Sequence, residues 1–447
     1  LFLAAVCCHV SAIELDLTST DSIKKASSTI TRGLLKYYHG NEPGQIPGAL
    51  PKPYYWWQAG AMWGELIEYW SYTGDTTYND IVTQALLFQM GQDRNYMPAN
   101  WSNEEGNDDQ SFWAFSVLTA AELKFPDPPD DKPSWLALAQ AVFNTQVPRW
   151  DTQTCGGGLR WQILFTNPGW TYKNTISNGA LFQLSARLAR YTGNATYALW
   201  ADKVWDWLAS TPNLTPEFQV NDGSDVAKNC TDANHNQWTY NYGTMLMGAA
   251  NMYNYTDGNP LWKKRVQGLL DVSLKNFFPL VNPQGQTLPH NAMVEISCEW
   301  ARSCNPDQTS FKAYLARWMA ATTQLAPFTF NPIMLKLQSS ARGAAMQCSG
   351  GDDKVTCGRD WNTAIWDGFS GVGEQMSALA VIQSILITKA PRPVTSTSGG
   401  TSKGDPNAGG QAKGPRVDKV TKASKVAAGF LTTFLMVATL GLAAFMI

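Results

Sequence analysis

A turn that returns three times limits the folds open to this chain more than any other feature. Tyr72-Thr73-Gly74-Asp75, with Tyr78 three residues on, recurs as Tyr191-Thr192-Gly193-Asn194 with Tyr197. A looser copy is Tyr255-Thr256-Asp257-Gly258-Asn259 with Trp262. Glycine takes the left-handed position that ends one helix, and Asp or Asn caps the next. The copies start 119 and 64 residues apart, a unit of roughly 60 residues holding two helices. Extending the 3.6-residue apolar period from these anchors predicts twelve helices. They fall near 19–39, 57–73, 75–91, 108–124, 133–146, 173–192, 194–210, 237–254, 258–277, 308–323, 331–347 and 370–388. Short and long connections alternate, the long ones at 40–56, 92–107, 147–172, 211–236, 278–307 and 348–369. Six helical hairpins with every long loop at one end describe an all-α (α/α)6 toroid. An open solenoid would share the period. Function concentrates on loops held by a rigid scaffold, so the site is expected at the long-loop end.

The flanks of this domain, 13–390, speak to compartment. Residues 1–12, LFLAAVCCHVSA, read as the remnant of a signal peptide ending at Ser11-Ala12. The remaining cysteines are Cys155, Cys230, Cys298, Cys304, Cys348 and Cys357. Six cysteines allow 15 pairings. The short spacings suggest Cys298–Cys304 and Cys348–Cys357, leaving Cys155–Cys230. Sequons begin at Asn100, Asn194, Asn213, Asn229 and Asn254, which fits the secretory pathway. Residues 391–425 are rich in Pro, Ser, Gly and Lys and read as a flexible linker. From Val426 to Ile447 the chain is apolar or small throughout, as in a signal exchanged for a GPI lipid at the outer face of the plasma membrane. Asn407, Ala408 and Gly409 are small enough to be the attachment site, although they lie far from the tail.

A net charge of −2 leaves no nucleic-acid footprint. Four scattered His and no CxxC argue against a metal, and no cofactor is expected. Nineteen Trp and 16 Tyr fit a large core with scattered surface rings as well as they fit rings that stack on sugar. At the end of the 92–107 loop the chain reads Glu104-Glu105-Gly106-Asn107-Asp108-Asp109-Gln110-Ser111-Phe112-Trp113. Asn107 or Asp108 could simply cap the following helix. Capping needs no second carboxylate, however, and two adjacent carboxyls suit glycoside chemistry. One would attack the anomeric carbon while the other protonates the leaving oxygen and later deprotonates the acceptor.

Gly106-Asn107-Asp108-Asp109-Gln110 with its following aromatics resembles the signature of glycoside hydrolase family 76, the endo-α-1,6-mannanases. Gln58-Ala-Gly-Ala-Met-Trp-Gly64, Cys155-Gly-Gly-Gly-Leu-Arg-Trp-Gln162, Tyr172-Lys-Asn-Thr-Ile-Ser-Asn-Gly179 and Gln237-Trp-Thr-Tyr-Asn-Tyr-Gly243 are similar to its fungal GPI-anchored branch. The resemblance covers essentially all of 14–390. It implies an (α/α)6 fold and a retaining mechanism, with Asp108 as nucleophile and Asp109 as acid/base. It further implies recognition of an α-1,6-mannosyl glycan such as the GPI core, with transfer onto wall β-glucan; plain hydrolysis of mannan fits the same residues.

Residues from other long loops are expected to line the groove. They are Trp56, Trp57, Asn107, Arg160, Trp161, Gln237, Trp238, Tyr240 and Asn241, together with Asp360, Trp361 and Asp367. Core packing, the neighbouring disulfide or plain turn chemistry would explain several of them equally well. Two rival readings remain at this stage. One is an inverting (α/α)6 glycosidase using Glu105 with Asp225 or Asp367. The other is a wall-glycan binding protein without catalysis.

Overall fold

A computed structural model of the chain describes residues 12–409. Twelve α-helices follow in order: α1 (Thr20–Leu35), α2 (Trp56–Thr73), α3 (Asn79–Phe88), α4 (Asn107–Leu123), α5 (Trp135–Gln146) and α6 (Thr175–Thr192). The second half supplies α7 (Ala195–Ser210), α8 (Thr239–Tyr255), α9 (Pro260–Phe277), α10 (Phe311–Leu325), α11 (Phe330–Gln347) and α12 (Val372–Gln383). The repeated turn does what its residues dictate. Gly74 ends α2 at φ 77°, Gly193 ends α6 at φ 71°, and Asn194 and Asn259 cap α7 and α9 through their side chains.

The even-numbered helices pack in sequence from α2 to α12, and α12 returns to α2, so the ring closes and the solenoid alternative falls. They are buried on nearly every face; in α4 almost the whole run from Asn107 to Glu122 is inaccessible. The odd-numbered helices form the outer ring and, α5 excepted, bury one face each; α5 is covered on almost every side. In α9 the buried face is Trp262, Val266, Leu269, Leu270 and Phe277, the spacing of a helix with one face on the core. All six inner helices therefore start at the long-loop end and finish at the other. Buried ion pairs join the inner helices, toward the ends of α4 and α6 and halfway along α10. Arg187 donates to Glu122 at 2.7 Å, with Arg190 at 3.7 Å, and Arg317 grips Glu68 through two nitrogens at 2.7 and 3.1 Å.

The long loops carry small sheets that an all-α reading does not anticipate. β1 (Tyr172–Asn174) pairs antiparallel with β2 (Gly223–Asp225), which pairs with β3 (Ala233–Asn234); β4 (Cys348–Gly350) pairs with β5 (Thr356–Cys357). The disulfides join Cys155 to Cys230, Cys298 to Cys304 and Cys348 to Cys357. The first of these and the β1–β2 ladder stitch the α5–α6 loop to the α7–α8 loop. Four sequon asparagines, Asn100, Asn194, Asn229 and Asn254, are exposed, whereas Asn213 is buried and its amide donates to the Lys173 carbonyl at 3.2 Å. Glycopeptide mass spectrometry is expected to find glycan at the four exposed positions and none at Asn213 in folded protein.

Composition marks 391–425 as a flexible linker, but Pro393–Gly409 is bonded to the wall of the domain through specific side chains. Asn407, Ala408 and Gly409 belong to this docked stretch. The signal-peptide remnant up to residue 11 and the apolar stretch 426–447 lie outside the described residues. Among the described residues no helix is long and apolar enough to cross a membrane.

Candidate active site

The N-termini of α2, α4, α6, α8 and α10, with the loops that feed them, line a pocket at the long-loop end. It is lined by Trp57, Asp108, Asp109, Phe112, Trp161, Tyr172, Asn174, Asp222, Tyr240, Asp307 and Phe311. Asp108 and Asp109 stand on the first turn of α4. Gly106 caps that helix, and Asp109 reaches back so that Gly106 N–H donates to its Oδ2 at 2.7 Å, the return half of a capping box. Gly106 must lack a side chain, because a Cβ there would meet Asp108 Oδ1 and the Trp161 ring. Asp108 Oδ1 accepts from Asp109 N–H at 3.1 Å and its Oδ2 from Asn174 Nδ2 at 3.3 Å.

These contacts divide two chemically identical groups. Burial pushes both carboxyls up, and the hydrogen bonds from Asn174 and the helix N–H groups favour the charged form of Asp108. Asp109 is pushed well up, first by burial and then by the charge on Asp108. Asp109 is thus the group that keeps its proton when the pair holds one. An anionic carboxylate beside a protonated one is the arrangement a retaining glycosidase needs.

A polar layer behind the turn holds it in place. Arg149 Nη1 donates to Asn107 Oδ1 at 2.9 Å and Gln110 Oε1 at 2.8 Å, bracketing the pair. Gln146, the last residue of α5, donates to the Asn107 carbonyl at 2.7 Å and to Ser111 Oγ at 2.8 Å. Asn107 itself points away from the pocket, its amide donating to the Arg160 carbonyl at 2.8 Å. It is a positioning residue rather than a sugar contact.

The opposite wall is aromatic and acidic. Tyr240 lies flat on Phe311, with ring centroids 3.8 Å apart and planes at 5°. Trp57 Nε1–H donates to Asp307 at 3.1 Å, and burial raises Asp307 to about 6. Tyr172 donates through its hydroxyl to Asp222 at 2.6 Å, and burial raises that carboxyl too. Among the lining residues are four carboxyls and no cation.

Of the positions expected to line the groove, Trp57, Trp161 and Tyr240 reach it with the Asp pair. The others do not. Trp56 stacks on Trp113 at 5.0 Å and donates to Gln89, as core. Arg160 is held by Asp151 at 2.8 Å and lies over Trp170. Gln237 is tied up by Gln219, Tyr242 and Asn276, and Asn241 is wholly buried. Trp238 packs edge-on against Phe311. Asp367 accepts from the backbone N–H of Arg359, Asp360 and Phe369, which organises its loop; Asp360 does the same for Asn362. Trp361 is fully buried under Lys312. An inverting pair drawn from Glu105 with Asp225 or Asp367 has no geometry to support it. Asp225 caps a short turn, Asp367 serves its loop, and Glu105 is buried with both oxygens unpartnered. Sequence reading missed Phe112, Tyr172, Asn174, Asp222, Asp307 and Phe311. Position could have found three of them: Asn174, Asp307 and Phe311 sit where an inner helix begins, as Asp108 does.

The family model for glycosyl hydrolase family 76 matches residues 22–397. The chain belongs to that family. Mannan endo-1,6-alpha-mannosidase DCW1 of Saccharomyces cerevisiae is 47% identical over 428 residues, covering 94% of this chain and 92% of the relative. A relative in Schizosaccharomyces pombe, named as a putative mannan endo-1,6-alpha-mannosidase, is 49% identical over 89% of this chain. Among solved structures, Dfg5 of Chaetomium thermophilum in complex with glucosamine is 45% identical. It covers 89% of this chain and 98% of its own, with a TM-score of 0.83. The α-1,6-mannanase of Salegentibacter shares the fold at 18% identity and a TM-score of 0.63, covering 81% of this chain and 98% of its own. Family 76 membership and the toroid thus agree.

Proposed function

We propose that this protein is a retaining glycosidase of the mannan endo-1,6-α-mannosidase type, acting on α-1,6-mannosyl glycans in fungal cell-wall assembly. Asp108 and Asp109, side by side on one buried helix turn that favours charge on the first and the proton on the second, carry the reading. The names of the fungal relatives, at 44–49% identity over most of the chain, support the substrate class. In the first step Asp108 attacks the anomeric carbon as the bond to the leaving oxygen breaks, and Asp109 gives that oxygen its proton. In the second, Asp109 takes the proton of the incoming acceptor, whose oxygen displaces Asp108. Each step inverts, so the α configuration returns. With water as acceptor the reaction is hydrolysis; with a sugar hydroxyl it is transfer. Flat rings at Trp57, Trp161 and Tyr240 suit the apolar faces of sugar rings, and the unpaired carboxyls suit their hydroxyls. A GPI anchor would hold the enzyme at the outer face of the plasma membrane. There the mannose of a GPI-core glycan is the proposed donor and wall β-glucan the proposed acceptor.

The test is to incubate the 13–409 domain with an α-1,6-mannooligosaccharide, with and without a β-glucan oligosaccharide, and follow products by NMR and mass spectrometry. New reducing ends or linkages of α configuration are expected. Products of β configuration would overturn the mechanism, and products absent in every condition, GPI-core glycan included, would favour a binding protein.

A further inference from the structure

One buried carboxyl in the catalytic segment takes no part in the two chemical steps. Glu105 is 2% exposed, and neither of its side-chain oxygens has a hydrogen-bond partner. Its backbone is fixed on both sides. The Glu105 carbonyl accepts from Ile163 N–H at 3.3 Å, Gly106 is bridged to Gln162, and Asn107 N–H donates to the Trp161 carbonyl at 2.9 Å. The N–H that Asp109 grips at 2.7 Å belongs to the peptide joining Glu105 to Gly106. Standard peptide dimensions then put the Glu105 Cα within about 5 Å of Asp109 Oδ2, a gap its own side chain can span. Glu105 does not line the pocket. Two charged groups face it: Asp109, and Arg149 on the turn after α5. Arg149 donates to neutral acceptors, Asn107 Oδ1, Gln110 Oε1 and Met97 Sδ. The paired segment 161–163 brings no titratable group, and Asp109 itself faces Asp108, Asp307 and Glu105. Burial and then Asp109 push Glu105 well above the carboxylate range, against the pull of Arg149, so it is held as the neutral acid. A buried, unpartnered carboxyl costs stability that a leucine of similar size would not. Where a chain breaks that rule beside its catalytic groups, function is the reason to look for.

We propose that Glu105 is a positioning residue for the acid/base: its neutral O–H donates to the Asp109 carboxylate whenever Asp109 has given up its proton. The proposal rests on the retaining reading of the pair. In the resting site Asp109 holds a proton, and Glu105 has nothing to bond. After the first step Asp108 is an ester and Asp109 a buried anion, met by the Gly106 N–H alone among the described residues. The proton it lost has gone with the leaving oxygen, so the charge must be met from inside the protein. Glu105 supplies an O–H from the residue next to that peptide, and Arg149 adds a positive charge close by. In the second step the acceptor returns a proton to Asp109 and the bond lapses. No proton leaves Glu105 at either stage, so the balance of the reaction is unchanged. By steadying the anion, Glu105 makes Asp109 a stronger acid toward the leaving oxygen. An ionised Glu105 would do the reverse, repelling the anion and holding the proton on Asp109.

The experiment compares the parent with Glu105→Leu and with Glu105→Gln, whose amide keeps a donor but cannot ionise. Thermal unfolding is measured, with kcat and KM on an α-1,6-mannooligosaccharide across pH. The Asp109 carboxyl is titrated by NMR in protein carrying isotope-labelled aspartate, its signal assigned against Asp109→Asn. The leucine variant should melt higher than the parent. Its kcat should nonetheless fall about 10–100-fold with KM little changed, the worth of one hydrogen bond to a charged group. Asp109 should titrate at higher pH in that variant and carry the alkaline limb of the rate profile up with it. Glutamine should recover most of the rate and return the titration to that of the parent. A leucine variant that melts lower with the Asp109 titration unmoved marks a structural residue and overturns the proposal. Asp109 moving down in both variants shows an ionised Glu105 and overturns it as well. A parent that turns over no mannooligosaccharide overturns the proposed function instead. The titration needs no substrate, so it still decides whether Glu105 governs Asp109.

Discussion

Asp108→Ala should lower turnover of an α-1,6-mannooligosaccharide by about 10^4-fold, in line with loss of a nucleophile that acts as part of a unit. Added azide should restore part of the rate by entering the space left by the carboxylate. Attack from that face on an α-mannoside gives a β-mannosyl azide. Asp109→Asn should cost on the order of 10^2–10^4-fold on natural glycan, the usual worth of a general acid. On an aryl mannoside whose leaving group needs no proton, its first step survives, and azide then opens the covalent intermediate to an α-mannosyl azide. Opposite products from neighbouring substitutions would fix the two roles; identical products would reverse or dissolve the assignment. Activity also needs Asp108 charged and Asp109 protonated at once. It is lost on the acid side as Asp108 gains a proton and on the alkaline side as Asp109 gives one up. Burial raises both, so both limbs should lie above the ordinary aspartate value of 3.8. Asp307→Asn removes a negative charge that holds Asp109 up, so it should move the alkaline limb down.

Replacing Cys155 and Cys230 together by serine should destabilise the domain by about 4 kcal/mol, the chain-entropy worth of a 75-residue loop. The consequence reaches the pocket. This disulfide ties the loop that supplies Trp161 and Tyr172 to the loop that supplies Asp222, and the buried Lys173 amine cross-links the same region to the carbonyls of Thr154 and Gly157 at 2.8 and 2.5 Å. Thermal unfolding under reducing and oxidising conditions measures the loss. A pocket held by the bridge also raises KM in the variant at temperatures where it remains folded. A variant as stable as the parent would place the stitching in the β1–β2 ladder instead.

Chemistry written into a single stretch of chain was legible from sequence. The turns at Gly74 and Gly193, the twelve helices and the pair at Asp108 and Asp109 each depend on neighbours a few residues away. The sheets in the loops were not legible, since β1 needs a partner about 50 residues on and has only three residues of its own. The pocket walls divided along the same line. Trp57 and Tyr240 sit in first turns of inner helices, and position alone suggested them. Trp56 and Asn241 are their immediate neighbours, yet one residue of helix rotates a side chain by about 100°, enough to turn them into the core. Asp367 could not be told from a pocket carboxylate, because its real partners are three backbone N–H groups that only the folded loop brings together. Composition misled at 391–409 for a related reason. Those residues form no core of their own, but Gln140, Asn144 and Arg190 give their backbone somewhere to bond.

The ion pairs beneath the inner ring decide how a polymer can be handled. With Arg187 and Arg190 locked to Glu122 toward the ends of α4 and α6, and Arg317 to Glu68 halfway along α10, the barrel is a cup and not a tunnel. A glycan cannot thread through it. On the proposed function, the glycan would lie across the rim with one sugar dipped toward Asp108, so cleavage would fall at interior linkages with both ends free. Traffic through a cup has one doorway. On the proposed mechanism the departing fragment would have to clear it before water or a second sugar could enter, and whichever arrived first would decide between cutting a polymer and splicing one.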